Sequence, residues 1–363
     1  NKETKRITWL TLAFMAFSIV WGFGNVINGF SEFGGLQAIV SWIIIFIIYF
    51  IPYALMVGEL GSSFKELGGG VSSWILETIG PKMAYYAGWT YWVVHLPYIS
   101  QKPQGAIIAG SWAIFQSNAI SNINPVALQI SCLVVFLIGL LIATKGMNPL
   151  KKIATIAGTS MFVMSILFII LMISAPAITG GNFIDIDWSL KTFMPTFDLK
   201  YFTSISILVF AVGGCEKISP YVNKMDEPSK GFPKGMITLA IMVAVCAILG
   251  TISLGMMFDS NNIPQDLLTN GAYYAFQRLG EYYNVGNLFV ILYAITNFIG
   301  QVSTLIISID APLRMLLESC DKEYMPRSMF KQNKYGAYTN GNKLIGVIVS
   351  ILIIIPAFGI GSV

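Results

Sequence analysis

The chain has 363 residues, of which 55% are hydrophobic, 13% aromatic and only 11% charged, with a single histidine and a formal net charge of +4; its mean hydropathy is +0.69. A water-soluble domain carries about 25% charged residues, so soluble enzymes, nucleic-acid binders and secreted disulfide scaffolds are poor readings. The four cysteines (Cys132, Cys215, Cys246, Cys320) lie far apart in or beside apolar runs without C-x-x-C spacing, which argues for buried small residues and against a disulfide framework or zinc site.

In chain order, nine apolar segments are predicted at about 7–30, 37–57, 83–114, 125–143, 149–175, 201–221, 235–258, 285–317 and 343–363. Each approaches the ~20 residues that an α-helix needs to cross a bilayer. Residues 1–6 run straight into the first segment, which is too long for a signal-peptide core and lacks a cleavage site. One side of the predicted membrane receives Lys2, Lys5, Arg6, Lys65, Lys82, Lys145, Lys151, Lys152, Lys217, Lys224, Lys230, Lys234, Arg314, Lys322, Arg327, Lys331, Lys334 and Lys343, which is 18 of the 22 basic residues. The other side has Lys191, Lys200 and Arg278, together with Glu32, Asp185, Asp187, Asp198, Asp259, Asp266 and Glu281; Lys102 lies inside a span. This bias places the amino terminus in the cytoplasm, and makes the positive charge a topology signal with no bearing on nucleic acid.

Two spans carry matching glycine interruptions. The first reads Trp21-Gly22-Phe23-Gly24-Asn25 and the sixth Phe210-Ala211-Val212-Gly213-Gly214-Cys215-Glu216. Five spans apart, they enter the membrane in opposite senses, as an inverted repeat of five plus five helices requires. Unwound backbone at that depth survives where it lines a cavity, and its free N–H groups can hold a carboxylate; the competing reading is that the glycines merely permit close helix packing.

The third span holds His95 and Lys102, seven residues apart on one helical face, with Tyr91 a turn below His95, Tyr98 between them and Pro97 and Pro103 bending the helix. A charge at membrane depth marks a binding site or pathway by default. Alternatively Lys102 snorkels to the interface and His95 is an interhelical hydrogen bonder. Glu216, just beyond the second break, is a candidate for gating, proton coupling or a structural ion pair. Asp310 and Arg314, four apart, suit a salt bridge within the eighth span, with an inner-gate role as the lesser alternative. No nucleophile and base stand at plausible spacing, so an enzyme is not expected, and no span shows the continuous polar face of a channel.

The motifs resemble those of the amino acid, polyamine and organocation permeases. Gly58-Glu59-Leu60, Gly68-Gly69-Gly70-Val71-Ser72-Ser73-Trp74 and Gly80-Pro81 are similar to that family's acidic-Leu and Gly-Gly loop; Gly214-Cys215-Glu216, Asp226-Glu227-Pro228 and Phe232-Pro233-Lys234 look like its sixth-helix pattern; and the stretch from Arg314 to Pro326 is similar to the end of its eighth helix. The branch most resembled is the bacterial permeases grouped with glutamate/γ-aminobutyrate antiporters. The resemblance implies an all-α polytopic membrane protein with a LeuT-like five-plus-five inverted-repeat fold and broken helices 1 and 6: a first repeat over 7–175 and a second over 201–363, incomplete because nine of about twelve spans are present and a tenth helix is lacking. Gly22-Phe23-Gly24 departs from the family's G-[SA]-G, removing a hydroxyl contact to substrate.

The same resemblance places Tyr91, His95 and Lys102 in the substrate pocket, makes Phe210 the aromatic lid, and connects Glu216 with gating and pH response. The expected substrate is an acidic, glutamate-like amino acid, with its carboxylate on N–H groups around Gly22, Phe23, Gly24 and Asn25 and its amine on carbonyls around Phe210 and Ala211, beside Gly213 and Gly214. Spans 1, 2, 6 and 7 then rock against 3, 4, 8 and 9. For coupling, Gly300, Ser303 and Thr304 resemble a Na⁺ site completed by carbonyls near Trp21 and Gly24. In the fifth span Gly158-Thr159-Ser160 stands where some proton-coupled relatives place a lysine, so Na⁺, H⁺ and simple exchange stay open, as do a Na⁺ symporter of neutral amino acids, a receptor that does not translocate, and a monomer or homodimer. No cofactor is expected.

Overall fold

The computed structural model describes residues 6–359 apart from 69, 181–182, 260–266 and 320–321. Lys2, Lys5, Gly69, Asp266 and Cys320, used in the sequence reading, lie outside the described residues. The first span is two helices, α1 (Trp9–Val20) and α2 (Gly24–Glu32), meeting at 45°. The Thr8 side chain starts α1 by accepting the Thr11 N–H at 3.2 Å, which satisfies one of the unpaired donors of a first turn. The second span comprises α3 (Ala38–Ile45), a π-helical turn (Phe46–Phe50) and α4 (Ile51–Ser63). A short α5 (Val71–Thr78) follows, and Gly80 at φ +118° turns the chain into α6 (Pro81–Phe115), opened by proline where its missing N–H costs nothing. Helix α6 runs unbroken through Pro97 and Pro103.

The fourth and fifth spans are α7 (Pro125–Ala143) and α8 (Met147–Thr179). After α9 (Leu190–Phe193), the sixth consists of α10 (Leu199–Ser204), α11 (Ser206–Val212) and a 3₁₀ segment, Cys215–Lys224. Helix α12 (Pro228–Gly255) is the seventh, α13 (Leu267–Tyr282) lies between spans, α14 (Leu288–Glu318) is the eighth, and α15 (Thr339–Ile354) the ninth. Each of the nine predicted segments holds helix among the described residues; the sequence reading did not anticipate α5, α9 and α13.

Among the described residues, seven spans are long and apolar enough to cross a membrane, and α1 with α2, counted as one bent span, is an eighth. Helix α6 is long enough at 35 residues but is diluted by the polar residues that make it interesting. The outer surface explains why charge is scarce: Ile47, Ile48, Leu141 and Val347 are each more than 60% exposed, which hydrocarbon accepts and water penalises.

Packing falls into two groups. Helix α12 packs on α1 and α4, and the 3₁₀ segment on all three; α6, α7, α14 and α15 pack together; α8 touches α1, α12, α14 and α7, and α14 also meets α1 and the 3₁₀ segment. The α1–α8 contact is close: a methyl group on Gly158 would overlap the carbonyl oxygen of Phe14. Cys132, Cys215 and Cys246 are buried free thiols.

Candidate functional site

Both helix breaks open onto one cavity of about 690 Å³. Trp21, Gly22 and Asn25 line it from the first break, Phe210, Ala211, Gly213, Gly214 and Glu216 from the second, His95, Tyr98 and Lys102 from α6, and Gly300 and Thr304 from α14. The Asn25 amide crosses between the breaks, donating to the Ala211 carbonyl at 3.0 Å.

The glycines at the breaks are not packing residues. A methyl group on Gly24 would meet nothing within 4 Å, and one on Gly22 only the tip of Met161 at 3.8 Å. Gly214 adopts φ +104°, a conformation that L side chains rarely take, and the chain then winds as a ten-residue 3₁₀ segment, far longer than such segments usually run. Among the described residues, the N–H groups of Gly22, Phe23 and Gly24 have no hydrogen-bond partner. Three unpaired donors at the start of α2 are therefore available to an anionic group.

Several predicted residues sit elsewhere. The Phe23 side chain is buried among Phe168, Phe276 and Tyr293, so only its backbone faces the break; its ring prefers the aromatic core to a wet cavity. Gly24 lines an adjoining cavity of about 220 Å³, which shares Gly22, Asn25, Asn28, Asn297 and Gln301 with the larger one. Tyr91 does not line the cavity: its hydroxyl donates to Glu216 Oε1 at 2.6 Å, while Tyr53 donates to Oε2 at 2.8 Å. Glu216 thus rests on two tyrosine hydroxyls, not on a pocket cation.

His95 Nδ1 stands 2.6 Å from the Tyr91 carbonyl oxygen, one turn back on the same helix. A carbonyl only accepts, so Nδ1 carries the proton and a neutral ring keeps Nε2 as an acceptor. The bond is intrahelical, which corrects the interhelical alternative. Lys102 does not snorkel: its ammonium lies over the Tyr98 ring, 4.2 Å from the centroid.

Lys217 is the largest correction. Counted above among cytoplasmic loop charges, it is 6% exposed, lines the cavity and places Nζ 4.2 Å from the same Tyr98 centroid. Lys217 comes only three residues after Gly214 and so stays beside the break, at cavity depth, which charge counting does not foresee. Phe210 lines the cavity with its side chain 77% exposed.

Asp310 and Arg314 lie beyond the cavity, toward the predicted cytoplasmic end. Arg314 Nε meets Asp310 Oδ2 at 2.7 Å, Nη1 meets Glu318 Oε1 at 2.8 Å, and the Tyr221 hydroxyl of the 3₁₀ segment donates to Asp310 at 2.8 Å. A side chain on Gly68 would collide with Glu318 and Asn223, and one on Gly70, at φ +59°, with Ser219 and Pro220. The glycines of the loop signature thus let the loop after α4 close over this end.

Around the predicted cation site, Thr304 Oγ1 donates to the carbonyls of Ser18 at 2.9 Å and Gly300 at 3.0 Å, and the Ser18 and Ser303 hydroxyls share a hydrogen bond at 3.1 Å. The partner from the first span is Ser18, which the sequence reading missed, and not Gly24. These are neutral oxygens of the type that hard cations prefer.

The chain is 51% identical to the aspartate/glutamate permease AcaP of Lactococcus lactis subsp. cremoris, over 99% of its own length and 74% of that protein's. It is 24% identical to the inner membrane transporter YjeM of Escherichia coli, covering 99% of this chain and 76% of YjeM, and 22% identical to a glutamate/γ-aminobutyrate antiporter of Lactococcus lactis, covering 87% and 62%. The crystal structure of MhsT in complex with L-phenylalanine shares the fold, with a TM-score of 0.64 at 15% identity over 98% of this chain and 82% of MhsT. Residues 7–363 match the family described as amino acid permease. With broken first and sixth spans around a shared cavity and this match over nearly its whole length, the chain belongs to the amino acid permeases, as a multi-pass membrane transporter of LeuT-like fold and not an enzyme.

Proposed function

We propose that the protein is a secondary active carrier of acidic amino acids that works by alternating access. The carrying observation is the charge of the cavity wall. Lys102, Lys217 and Glu216 line one cavity, and the two Glu216 oxygens are hydrogen-bonded to Tyr53 and Tyr91 rather than paired with a lysine, so with His95 neutral the wall carries a net charge of one positive unit. An amino acid with a side-chain carboxylate carries one net negative charge and neutralises it, which a low-dielectric site favours strongly. The similarity to AcaP points to the same substrate class.

In this reading the α-carboxylate binds the free N–H groups at Gly22 to Gly24, and the α-amine binds carbonyls near Phe210 and Ala211, displacing the Asn25 amide from Ala211. Phe210 closes over the substrate. Spans 1, 2, 6 and 7 then rock against 3, 4, 8 and 9, as two inverted repeats over 7–175 and 201–363, with the amino terminus cytoplasmic in a bacterial inner membrane. The oxygens of Ser18, Gly300, Ser303 and Thr304, with the Trp21 carbonyl, would hold Na⁺ if transport is sodium-coupled, giving a second charge to balance.

The test is uptake of labelled glutamate, aspartate, γ-aminobutyrate, a neutral and a basic amino acid into proteoliposomes, with and without a Na⁺ gradient. Acidic substrates are expected to accumulate best; preference for a basic one would overturn the reading. In Lys102→Met, kcat/KM for glutamate should fall at least about tenfold further than for glutamine, the lower end of the loss when one partner of a buried charge contact is removed. Equal loss on both would make the lysine structural. Thr304→Val keeps the shape and removes the hydroxyl, so it should abolish any stimulation by Na⁺; stimulation that survives would place the cation elsewhere.

A further inference from the structure

Lys217 stands where no loop charge belongs, and its geometry mirrors that of Lys102. Each ammonium lies 4.2 Å from the centre of the one Tyr98 ring, so at most twice that distance separates them. Among the described residues neither has a carboxylate within salt-bridge distance; the ion pairs present there are those of Arg314. The neighbouring Glu216 is taken by Tyr53 and Tyr91. His95, whose ring is 6.0 Å from that of Tyr98, has its Nδ1 proton on the Tyr91 carbonyl. The π face of Tyr98 is thus what the two cations have in place of an anion, and it offsets only part of the cost of burying them.

The two lysines also belong to different moving parts. Lys102 is on α6, which packs with α7, α14 and α15; Lys217 is on the 3₁₀ segment, which packs with α1, α4 and α12 and also meets α14, so it stands at the seam between the two groups. Any motion that closes the cavity between these groups brings two like charges together in a medium that screens them poorly.

We propose that Lys102, Lys217 and Tyr98 form a single two-sided anion site, which grips the side-chain carboxylate of the substrate from both moving parts and holds the empty carrier open. This rests on the acidic-substrate reading above and extends it in two ways. Lys217 becomes a specificity-determining residue equal to Lys102. The site also sets the mode of transport: a loaded cavity closes with its charges balanced, whereas an empty one must close against repulsion, so exchange of one acidic amino acid for another outpaces net flux.

The experiment uses the full chain in proteoliposomes, comparing unaltered protein with Lys217→Gln, Lys217→Arg, Lys102→Gln, Tyr98→Phe and Tyr98→Leu, each checked for monodisperse elution. Two ratios are read: glutamate over glutamine in kcat/KM, and glutamate–glutamate exchange over net glutamate uptake. In Lys217→Gln the first is expected to fall at least about tenfold, and the second to fall as well, because the empty carrier returns more easily. Lys217→Arg keeps the charge and should hold both ratios near their original values, as should Tyr98→Phe, which keeps the ring; Tyr98→Leu should lower the first. The double variant Lys102→Gln/Lys217→Gln should lose less than the product of the single losses, since both cations serve one carboxylate.

A glutamate-over-glutamine ratio that falls in Lys102→Gln but not in Lys217→Gln would overturn the proposal while leaving the acidic-substrate reading intact. So would exchange and net uptake that change in parallel. Failure of the unaltered protein to prefer acidic amino acids would instead remove the reading on which the proposal rests.

Discussion

Gly158→Leu is expected to yield no monodisperse carrier in detergent, and Gly158→Ala to fold with a lowered melting temperature. The reason is backbone against backbone. A Cβ at this position of α8 overlaps the carbonyl oxygen of Phe14 in α1, and a main-chain oxygen in a helix cannot rotate aside as a side chain can. Helix α1 must move bodily, carrying the break at Trp21 to Asn25 with it. Overpacking of this kind typically costs about 1–3 kcal/mol for one added group, and more where nothing gives, against a total stability of about 5–15 kcal/mol. The direction is diagnostic because glycine inside a helix is otherwise worse than alanine by about 1 kcal/mol. A raised melting temperature for Gly158→Ala would therefore overturn the contact. Gly24→Ala is the control: its Cβ meets nothing within 4 Å, so the protein should melt as before while substrate affinity changes.

That contrast between glycines also marks how far the sequence could be read. The positions of the nine spans followed from length and apolarity alone, because a bilayer imposes one length on every crossing segment. Both breaks were legible for the same reason: glycine pairs at membrane depth are expensive unless they serve a purpose. What the sequence could not tell was which purpose each glycine served. Gly22, Gly24 and Gly214 face a cavity or need a positive φ, whereas Gly158 is a packing residue, and only the neighbours across the bundle distinguish them. Lys217 escaped because charge counting assigned it to the loop beyond the sixth span, whereas three residues past Gly214 it still lines the cavity. Ser18 escaped because its carbonyl, not its side-chain type, is what Thr304 reaches. Lys102, His95 and Phe210 were legible since a polar or family-matched residue inside an apolar span is conspicuous. Even so, the role of His95 changed once its proton was found on the Tyr91 carbonyl.

Arg314→Met is expected to cost about 3–5 kcal/mol, the usual penalty for removing one partner of a buried ion pair. Arg314 bridges Asp310 and Glu318, donates to the Gly336 carbonyl at 3.2 Å and is buried with Asp310. Without the guanidinium, the buried Asp310 carboxylate keeps only the Tyr221 hydroxyl as partner, with the more exposed Glu318 carboxylate two turns on. Asp310→Asn in the same chain should recover part of the loss by removing one of those charges, which a melting curve in detergent would register. The functional consequence follows from Tyr221, whose hydroxyl ties the 3₁₀ segment to Asp310 on α14. Since these elements belong to the two packing groups, this hydrogen bond is a latch across the predicted cytoplasmic end. Tyr221→Phe removes about 1 kcal/mol of it, enough to raise the population of the opened state about fivefold at constant fold. Cys215 is a built-in reporter, because it lies fully buried at the start of the same segment. Its alkylation by a small thiol reagent, followed by mass spectrometry, should speed up in Tyr221→Phe by a similar factor, and slow again when saturating substrate holds the cavity closed. Alkylation that is unchanged in Tyr221→Phe, while Arg314→Met still melts early, would reduce the network to a staple within α14 and put the barrier at that end in the glycine loop over Ser219 and Glu318.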